Sequence, residues 1–418
     1  MAAPALNIGL RKLSQGELDL MVAAHGRFVQ GKPGGRRAQL KSLDLSGLDL
    51  SNRELSDADL SGSRLDNCRM SGVRLERANL FGCDLRNANL REAVLCRADL
   101  RGACLRGANL SMADLTQADF REGQIGVANR VKGLDMTRQG DLDQANLAGA
   151  KLEGAQMERV SACAADFSDC SMIGAILVGA NLKDANLAGA ILEGADVGGA
   201  NLENVNLSGA VLTGVDVRRA RSTMGADLSD CLTTPTDEVV ARARELGERA
   251  RANQLWCDTG GKQGAPAVLN GEDLRPLGLR LRGLRLSALS AKNACLIGLD
   301  LSGCQLQGAN FEGADLRGVL LRGADLRGAR FGGANLAKAD LSGAVLTGLP
   351  LGPGRETPAH LDAAKLRYAN VRDADLTGAV MIDADLRGAD FSGARIERAN
   401  LDGALTHQTM GLNVGLQV

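Results

Sequence analysis

From Leu40 to Phe120 a bulky apolar residue, nearly always Leu, recurs at every fifth position. Two positions before it stands a small residue, as at Ala78, Cys83, Ala88, Ala98 and Ala103, and Asp or Asn usually separates the two. A period of five matches neither an α-helix, at about 3.6 residues, nor a flat strand, at about 2. The small and large residues lie two apart, so in extended chain they point to the same side. To keep every such pair facing one interior, the chain must turn after each unit.

The pattern runs over 40–120, 142–217, 281–351 and 361–401. The step from 120 to 142 is not a multiple of five, so 121–141 is expected to be an irregular loop or a distorted coil. Leu351 and Leu361 keep the five-residue register, which reads 352–360 as a bulge within one tower. At Val160-Ser161-Ala162 and Leu289-Ser290-Ala291 the large and small residues exchange places, roughly conserving interior volume.

The unit, seen in ADLRG at 98–102 and ANLSM at 108–112, resembles the A-[DN]-L-x-x motif of the pentapeptide repeat family. The resemblance covers most of the chain. It implies an all-β solenoid, a right-handed quadrilateral parallel β-helix with about twenty residues per coil and coils stacked about 4.8 Å apart. On such coils Phe311, Phe331 and Phe391 are expected in one interior column. Cys68, Cys83, Cys170 and Cys304 take the small inward position and read as compact core residues.

Two segments carry helical signals instead. Residues 235–252 suit an amphipathic helix, with Thr234 as cap, Pro235 in the first position and Asp237 and Glu238 in the first turn. Val239, Ala243, Leu246 and Ala250 share its apolar face. Near the N-terminus, Ser14 and Glu17 form a capping box, followed by Leu18, Met21, His25 and Phe28 at helical spacing. Each helix leads through a Gly-rich link into Leu-doubled opening repeats, SLDLSGLDLS at 42–51 and GLRLRGLRLS at 278–287. The division expected is a helical cap and link at 1–39, a first β-helix at 40–217, a linker with a helix at 218–280, a second β-helix at 281–405 and a tail at 406–418. Two tandem units, each with a helical cap, and one tower with a side insertion are both compatible with this order. The tail frays or offers a docking edge for another copy.

Composition narrows the function. Only 2% of the 418 residues are aromatic against 44% hydrophobic, which fits an interior too narrow for rings. The formal net charge of -1, from 49 basic and 50 acidic residues, excludes a basic nucleic-acid binder and a uniformly acidic mimic. Ten Cys without a C-x-x-C pair, and no continuous apolar run at the N-terminus, lead to the expectation of reduced thiols in a bacterial, cytoplasmic protein. No stretch approaches the length of a membrane span. The histidines, His25, His360 and His407, are far apart, and none has a metal-ligand partner at useful spacing. GKPGG at 31–35 and GGKQG at 260–264 do not fit the phosphate-loop pattern G-x-x-x-x-G-K-[ST]. No catalytic, cofactor or metal residue is expected, and the chain is not expected to be an enzyme.

Charge patterning singles out 142–217, with ten acidic residues against Lys151, Arg159 and Lys183. On twenty-residue coils Glu153, Glu193, Asp196 and Asp216 fall on two adjacent faces, with Glu158 close by. Ile173, Ile191 and Val211 are expected to point outward on one of them. Exposed apolar residues bordered by acids mark a partner site; the plainer explanation is that β-branched residues suit strands. The leading expectation is a non-catalytic scaffold for protein–protein contact or self-association, including a dimer. The alternative comes from the resemblance: some pentapeptide repeat proteins imitate DNA and modulate type II topoisomerases such as gyrase, and 142–217 would be the mimic. Near-neutral charge, further repeats after 280 and the basic residues Arg317, Arg322, Arg327 and Arg330 weigh against it. No direct nucleic-acid binding is expected.

Overall fold

In the computed structural model, which describes residues 9–125 and 136–412, each pentapeptide makes one short backbone bridge and one two-residue turn. The second turn position has positive φ, so it is Gly or a residue that tolerates the left-handed region, such as Asp57 and Asn67. Bridges run parallel between residues twenty apart, as along Gln39, Asp59, Asn79, Asp99 and Asp119. Leu60 N–H donates to Asn79 O at 2.8 Å and Asn79 N–H to Ala58 O at 2.9 Å, so one coil hydrogen-bonds the next. The Asp or Asn of a unit accepts from the N–H two residues on, as in Asp59 from Ser61 (3.0 Å) and Asn109 from Ser111 (3.1 Å). That local bond holds the turn.

The Leu and small residue of each unit face the axis. Ala78, Leu80, Ala98 and Leu100 are fully buried, and so are both partners of the exchanged pairs at 160–162 and 289–291. Each buried Leu contributes ~1.5–3 kcal/mol. The chain divides into two compact units, Met1–Thr234 and Pro235–Val418, each with its own apolar core.

In the first unit β1 (Arg11–Lys12) leads into α1 (Gln15–Val29), and β1 pairs in parallel with β2 (Leu43–Asp44). Ser14 and Glu17 form the capping box. Leu18, Val22 and His25 are buried against the first coil. His25 ties the helix down: Ala38 N–H donates to its Nδ1 at 3.0 Å, so Nε2 carries the proton and donates to Ser56 O at 2.8 Å.

Residues 121–141 are not simply irregular: β3 (Gly123–Ile125) and β4 (Met136–Arg138) pair antiparallel. Residues 126–135 lie outside the described residues. Cys104 bridges Asp141 instead of a residue twenty on, so the excursion leaves and rejoins the same ladder. Gly140 marks the return, because a Cβ there would collide with Phe120 O.

The linker assignment for 218–280 needs correction at both ends. Asn201, Asn206 and Val211 bridge Ser222, Asp227 and Leu232, so coil continues past 217. One extra residue, absorbed in the 3-10 turn Val217–Arg219, shifts the five-residue phase and hides this coil in the sequence. The helix α2 spans Asp237–Asp258, not 235–252. Thr236 caps it, because Thr234 is used elsewhere: its Oγ1 accepts from Gly214 N–H at 2.9 Å. Coil resumes before 281, with bridges Val268–Ser290 and Asp273–Cys295 and a 3-10 segment Arg275–Leu281 between them. Asn253 of α2 matches His25: its Nδ2 donates to Ser287 O at 3.0 Å and its Oδ1 accepts from Ala267 N–H at 3.0 Å.

The proposed bulge at 352–360 is an antiparallel hairpin, β5 (Leu349–Gly352) with β6 (Arg355–Thr357), and Leu351 is exposed on it. The hairpin lengthens one coil to a step of 30, so Asn370 bonds Asp340 and Arg330 bridges His360. Ten added residues preserve the five-residue phase but move everything beyond to the opposite side. Phe311 and Phe331 therefore stack, with centroids 5.2 Å apart, while Phe391 follows Val371 in another column. The coil runs past 405, through the bridge Asp390–Met410, so the tail assigned to 406–418 begins as coil; residues 413–418 lie outside the described residues.

Candidate interaction surface

Groups that perform chemistry elsewhere serve structure in these coils. Cys68, Cys83, Cys170 and Cys304 donate from Sγ to carbonyls of the preceding coil at 2.9–3.0 Å. Burial pushes the Cys68 and Cys83 thiols up to about 12 and Cys304 to about 11, which suppresses the reactive thiolate. His360 Nδ1 lies 3.0 Å from Asp362 Oδ2, and His407 is exposed. Among the described residues no group of three or more His, Cys, Asp or Glu is placed to hold a metal. Nor is any helix among them long and apolar enough to cross a membrane.

What distinguishes one surface from another is which letters face out. Outside 142–217, the Asp of many D-x-R units is neutralised by its own Arg. Arg101 meets Asp99 with Nε–Oδ1 at 2.9 Å and Nη2–Oδ2 at 2.7 Å, and Asp119–Arg121, Asp325–Arg327 and Asp385–Arg387 repeat the arrangement. The basic residues Arg317, Arg322, Arg327 and Arg330 are all ion-paired, with Asp315, Asp340, Asp325 and Glu312. Within 142–217 this pairing thins. Glu153 meets only the Thr116 hydroxyl, at 3.2 Å, and Glu193 forms no ion pair among the described residues. The Oε2 of Glu158 is buried without a hydrogen-bond partner among the described residues. Asp196 and Asp216 are instead paired, with Arg219 at 3.6 Å and Arg218 at 2.8 Å, and Asp216 caps the 3-10 turn. They belong to a mixed-charge end, not to a bare acidic face.

The apolar part of the expected surface is redistributed. Ile173 is 43% exposed, but Ile191 and Val211 are only 8% and 1% exposed. Those two occupy the Asp/Asn position and stack on each other along the ladder, Val211 lying between Ile191 and Leu232. They cover one another and offer a partner nothing.

A different set emerges within one coil. Ile173 sits at a turn between Glu153 of the coil before and Glu193 of the coil after, joined by Gly154 N–H to Ile173 O and Gly174 N–H to Glu193 O. Ile176 bridges Gln156 and Asp196 on the next face. At the following turn comes Val178, 38% exposed and one coil on from Glu158. The result is a strip of three aliphatic side chains rimmed by Glu153, Glu158, Glu193 and Asp196. Among the described residues Ile173 and Val178 are the exposed large apolar residues that lie on interior coils; the others lie on helices, hairpins or terminal coils. Sequence reasoning passed over Ile176 and Val178, whose signal was aliphatic residues in positions usually polar.

Profile comparison decides the family. The description "Pentapeptide repeats" matches residues 36–72, 74–111, 83–121, 141–179, 165–204, 180–219, 285–323, 324–349 and 359–398. The chain belongs to the pentapeptide repeat family. No curated protein matches it in sequence. Similar solved structures include HetL, a pentapeptide repeat protein involved in heterocyst differentiation regulation in the cyanobacterium Nostoc sp. strain PCC 7120. It is 22% identical over 93% of this chain and 97% of that one, with a TM-score of 0.18. QnrB1, a plasmid-mediated fluoroquinolone resistance protein, is 21% identical over 49% of this chain and 98% of its own, with a TM-score of 0.25. A pentapeptide repeat protein from the Arabidopsis thaliana thylakoid lumen is 32% identical over 29% and 67%, with a TM-score of 0.18. At these scores none of them bears on this chain's geometry. In this chain the inward letters repeat and the outward letters vary.

Proposed function

We propose that this pentapeptide repeat protein is a non-catalytic scaffold whose repeat blocks wind as right-handed quadrilateral β-helices and present a rigid surface to a protein partner. The observation that carries the reading is the aliphatic strip Ile173–Ile176–Val178 with its acidic rim. The fitting partner has a small apolar patch flanked by Lys or Arg. Free thiols at all ten Cys support a reducing compartment, the cytoplasm.

The test is affinity capture from native cell extract with the wild type and with Ile173→Asp/Val178→Asp. Both side chains are exposed, so the variant keeps its fold by circular dichroism. A partner retained by the wild type, lost by the variant and released by salt supports the surface. Capture of the same proteins by both refutes it. Sedimentation of the two proteins distinguishes self-association from a foreign partner.

A second reading, modulation of a type II topoisomerase by the acidic segment, is favoured by Glu153 and Glu193, which form no ion pair among the described residues. It predicts inhibition or protection of gyrase supercoiling at micromolar protein, abolished by Glu153→Lys/Glu193→Lys. No effect on supercoiling sinks it. The pairing of Asp196 and Asp216 with arginines makes this the weaker reading.

A further inference from the structure

At the start of the second unit, α2 packs beside the 3-10 segment Arg275–Leu281 and leaves a cavity of about 60 Å³ lined by Arg244, Gly247, Arg251, Arg280 and Leu281. We propose that this cavity binds a phosphate-class oxyanion.

The placement follows from the backbone. Arg244, Gly247 and Arg251 are three, four and seven residues apart, so they share one face of the helix. Gly247 contributes no side chain and opens the space between the two arginines. From the other wall, the segment is broken at Gly278, whose φ of 54° and ψ of -125° are accessible to glycine. The break brings Arg280 to the rim while Leu281, 1% exposed, forms the floor.

The charges at this place do not balance. The other arginines of α2 have carboxylate partners: Arg242 pairs with Glu272 and Arg249 with Glu245. Arg244 reaches Glu248 at 3.4 Å. Arg251 and Arg280 form no ion pair or side-chain hydrogen bond among the described residues. Three arginines therefore line one small cavity, and one of them, Arg244, has a carboxylate partner in Glu248. An oxyanion here would meet Arg251 and Arg280, neither of which has a carboxylate of its own among the described residues.

The number of donors selects the anion. Each guanidinium presents a rigid fork suited to two oxygens. A carboxylate has two oxygens and cannot satisfy three forks, whereas a tetrahedral phosphate has enough acceptors to meet all three. The small volume limits the bound part to the phosphate group itself. Free phosphate and a phosphate monoester on a larger molecule share this chemistry.

The experiment uses the full chain at low ionic strength, titrated with inorganic phosphate and, separately, with phenyl phosphate, and followed by calorimetry. Saturable binding at one site is expected. Arg251→Ala and Arg280→Ala should each weaken it roughly tenfold or more. Arg221→Ala, which removes an exposed arginine of the first unit with no ion partner among the described residues, should leave it unchanged. Gly247→Glu supplies a second decisive variant. A Cβ at this position meets only Leu277 Cδ2, at 3.7 Å, so the side chain fits and its carboxylate occupies the cavity. It should abolish phosphate binding while raising the melting temperature, since glycine inside a helix is unfavourable. Binding of phenyl phosphate identifies a site open to phosphate carried on a larger molecule; binding of inorganic phosphate alone identifies one for the free ion. Three outcomes overturn the proposal: no saturable binding of either probe, equal weakening by Arg221→Ala, or undiminished binding in Gly247→Glu. If an arginine variant fails to fold, Gly247→Glu decides.

Discussion

Replacing Asn253 by Leu tests how a helix is fastened to the first coil of the second unit. Asn253 is fully buried, and its amide closes two bonds of 3.0 Å, one from Ala267 N–H and one to Ser287 O. Leucine keeps the branched outline, with two methyl groups in place of the amide oxygen and nitrogen, and makes neither. Two backbone groups are then left unpartnered at the junction, each costing ~1–3 kcal/mol. The added apolar burial offsets up to ~2 kcal/mol. At mid-range, two losses of ~2 kcal/mol against an offset of ~2 leave a net loss of about 2 kcal/mol, read from urea unfolding followed by circular dichroism. Native-state hydrogen exchange should show the Ala267 amide opening faster, because its acceptor is gone. His25 makes the same pair of bonds in the first unit, from Ala38 N–H and to Ser56 O. Asn253→His and His25→Asn, which keep one acceptor and one donor, should therefore each cost less than leucine at the same position. Stability of Asn253→Leu within ~0.5 kcal/mol of wild type, with unchanged exchange at Ala267, would refute the fastening role.

Other expectations are as direct. Ile191→Asp with Val211→Asp should destabilise the first unit by ~3 kcal/mol or more, because both side chains are buried, while Ile173→Asp should be nearly neutral; denaturant midpoints separate the two cases. A double-mutant cycle between Phe311 and Phe331 should give a coupling of ~0.5–1.5 kcal/mol, and one between Phe311 and Phe391 close to zero; equal couplings would place all three in one column. Acid should weaken the ladder. Desolvation raises the Asp385 carboxyl, but hydrogen bonds from Arg387 and Arg367 outweigh it and hold the group down to about 2. Hydrogen bonds from Ser51 and Arg69 hold Asp49 down to about 2 as well. Both lie below the ordinary unfolded value of about 3.9, so their stabilisation is present above that pH and is lost as pH falls toward about 2. The melting temperature should decline over that window, and a flat profile between about pH 5 and 2 would contradict the assignment.

The repeat was legible because its cause is local. A large and a small residue two apart, followed by a turn, is a property of five residues, and Ala98–Leu100 or Ala103–Leu105 state it without help from the rest of the chain. The capping box of Ser14 and Glu17 is equally local. Legibility failed where an insertion changed the coil without disturbing that local rule, or disturbed the rule without ending the coil. Ten residues at the 349–357 hairpin keep the five-residue phase, so Phe391 looked collinear with Phe331 when it stands in another column. One residue at Val217–Arg219 breaks the phase, so coil at 222–232 looked like linker. The candidate surface suffered in the same way. An outward position in the repeat is not an exposed one when the residues stacked above and below it are also aliphatic, as at Ile191 and Val211.

By itself, then, the sequence determined the family, the five-residue unit, which side chains enter the core and the presence of a helix before each repeat block. Those follow from the alternation of apolar and small residues and from short-range capping, which act over a few bonds. Only the tertiary structure decided which outward letters are neighbours, because adjacency across coils depends on the number of residues in each coil and not on the period within it. That is why Ile173, Ile176 and Val178 form a strip with Glu153 and Glu193, why Asp196 and Asp216 are paired with arginines, and why Arg244, Arg251 and Arg280 line one cavity.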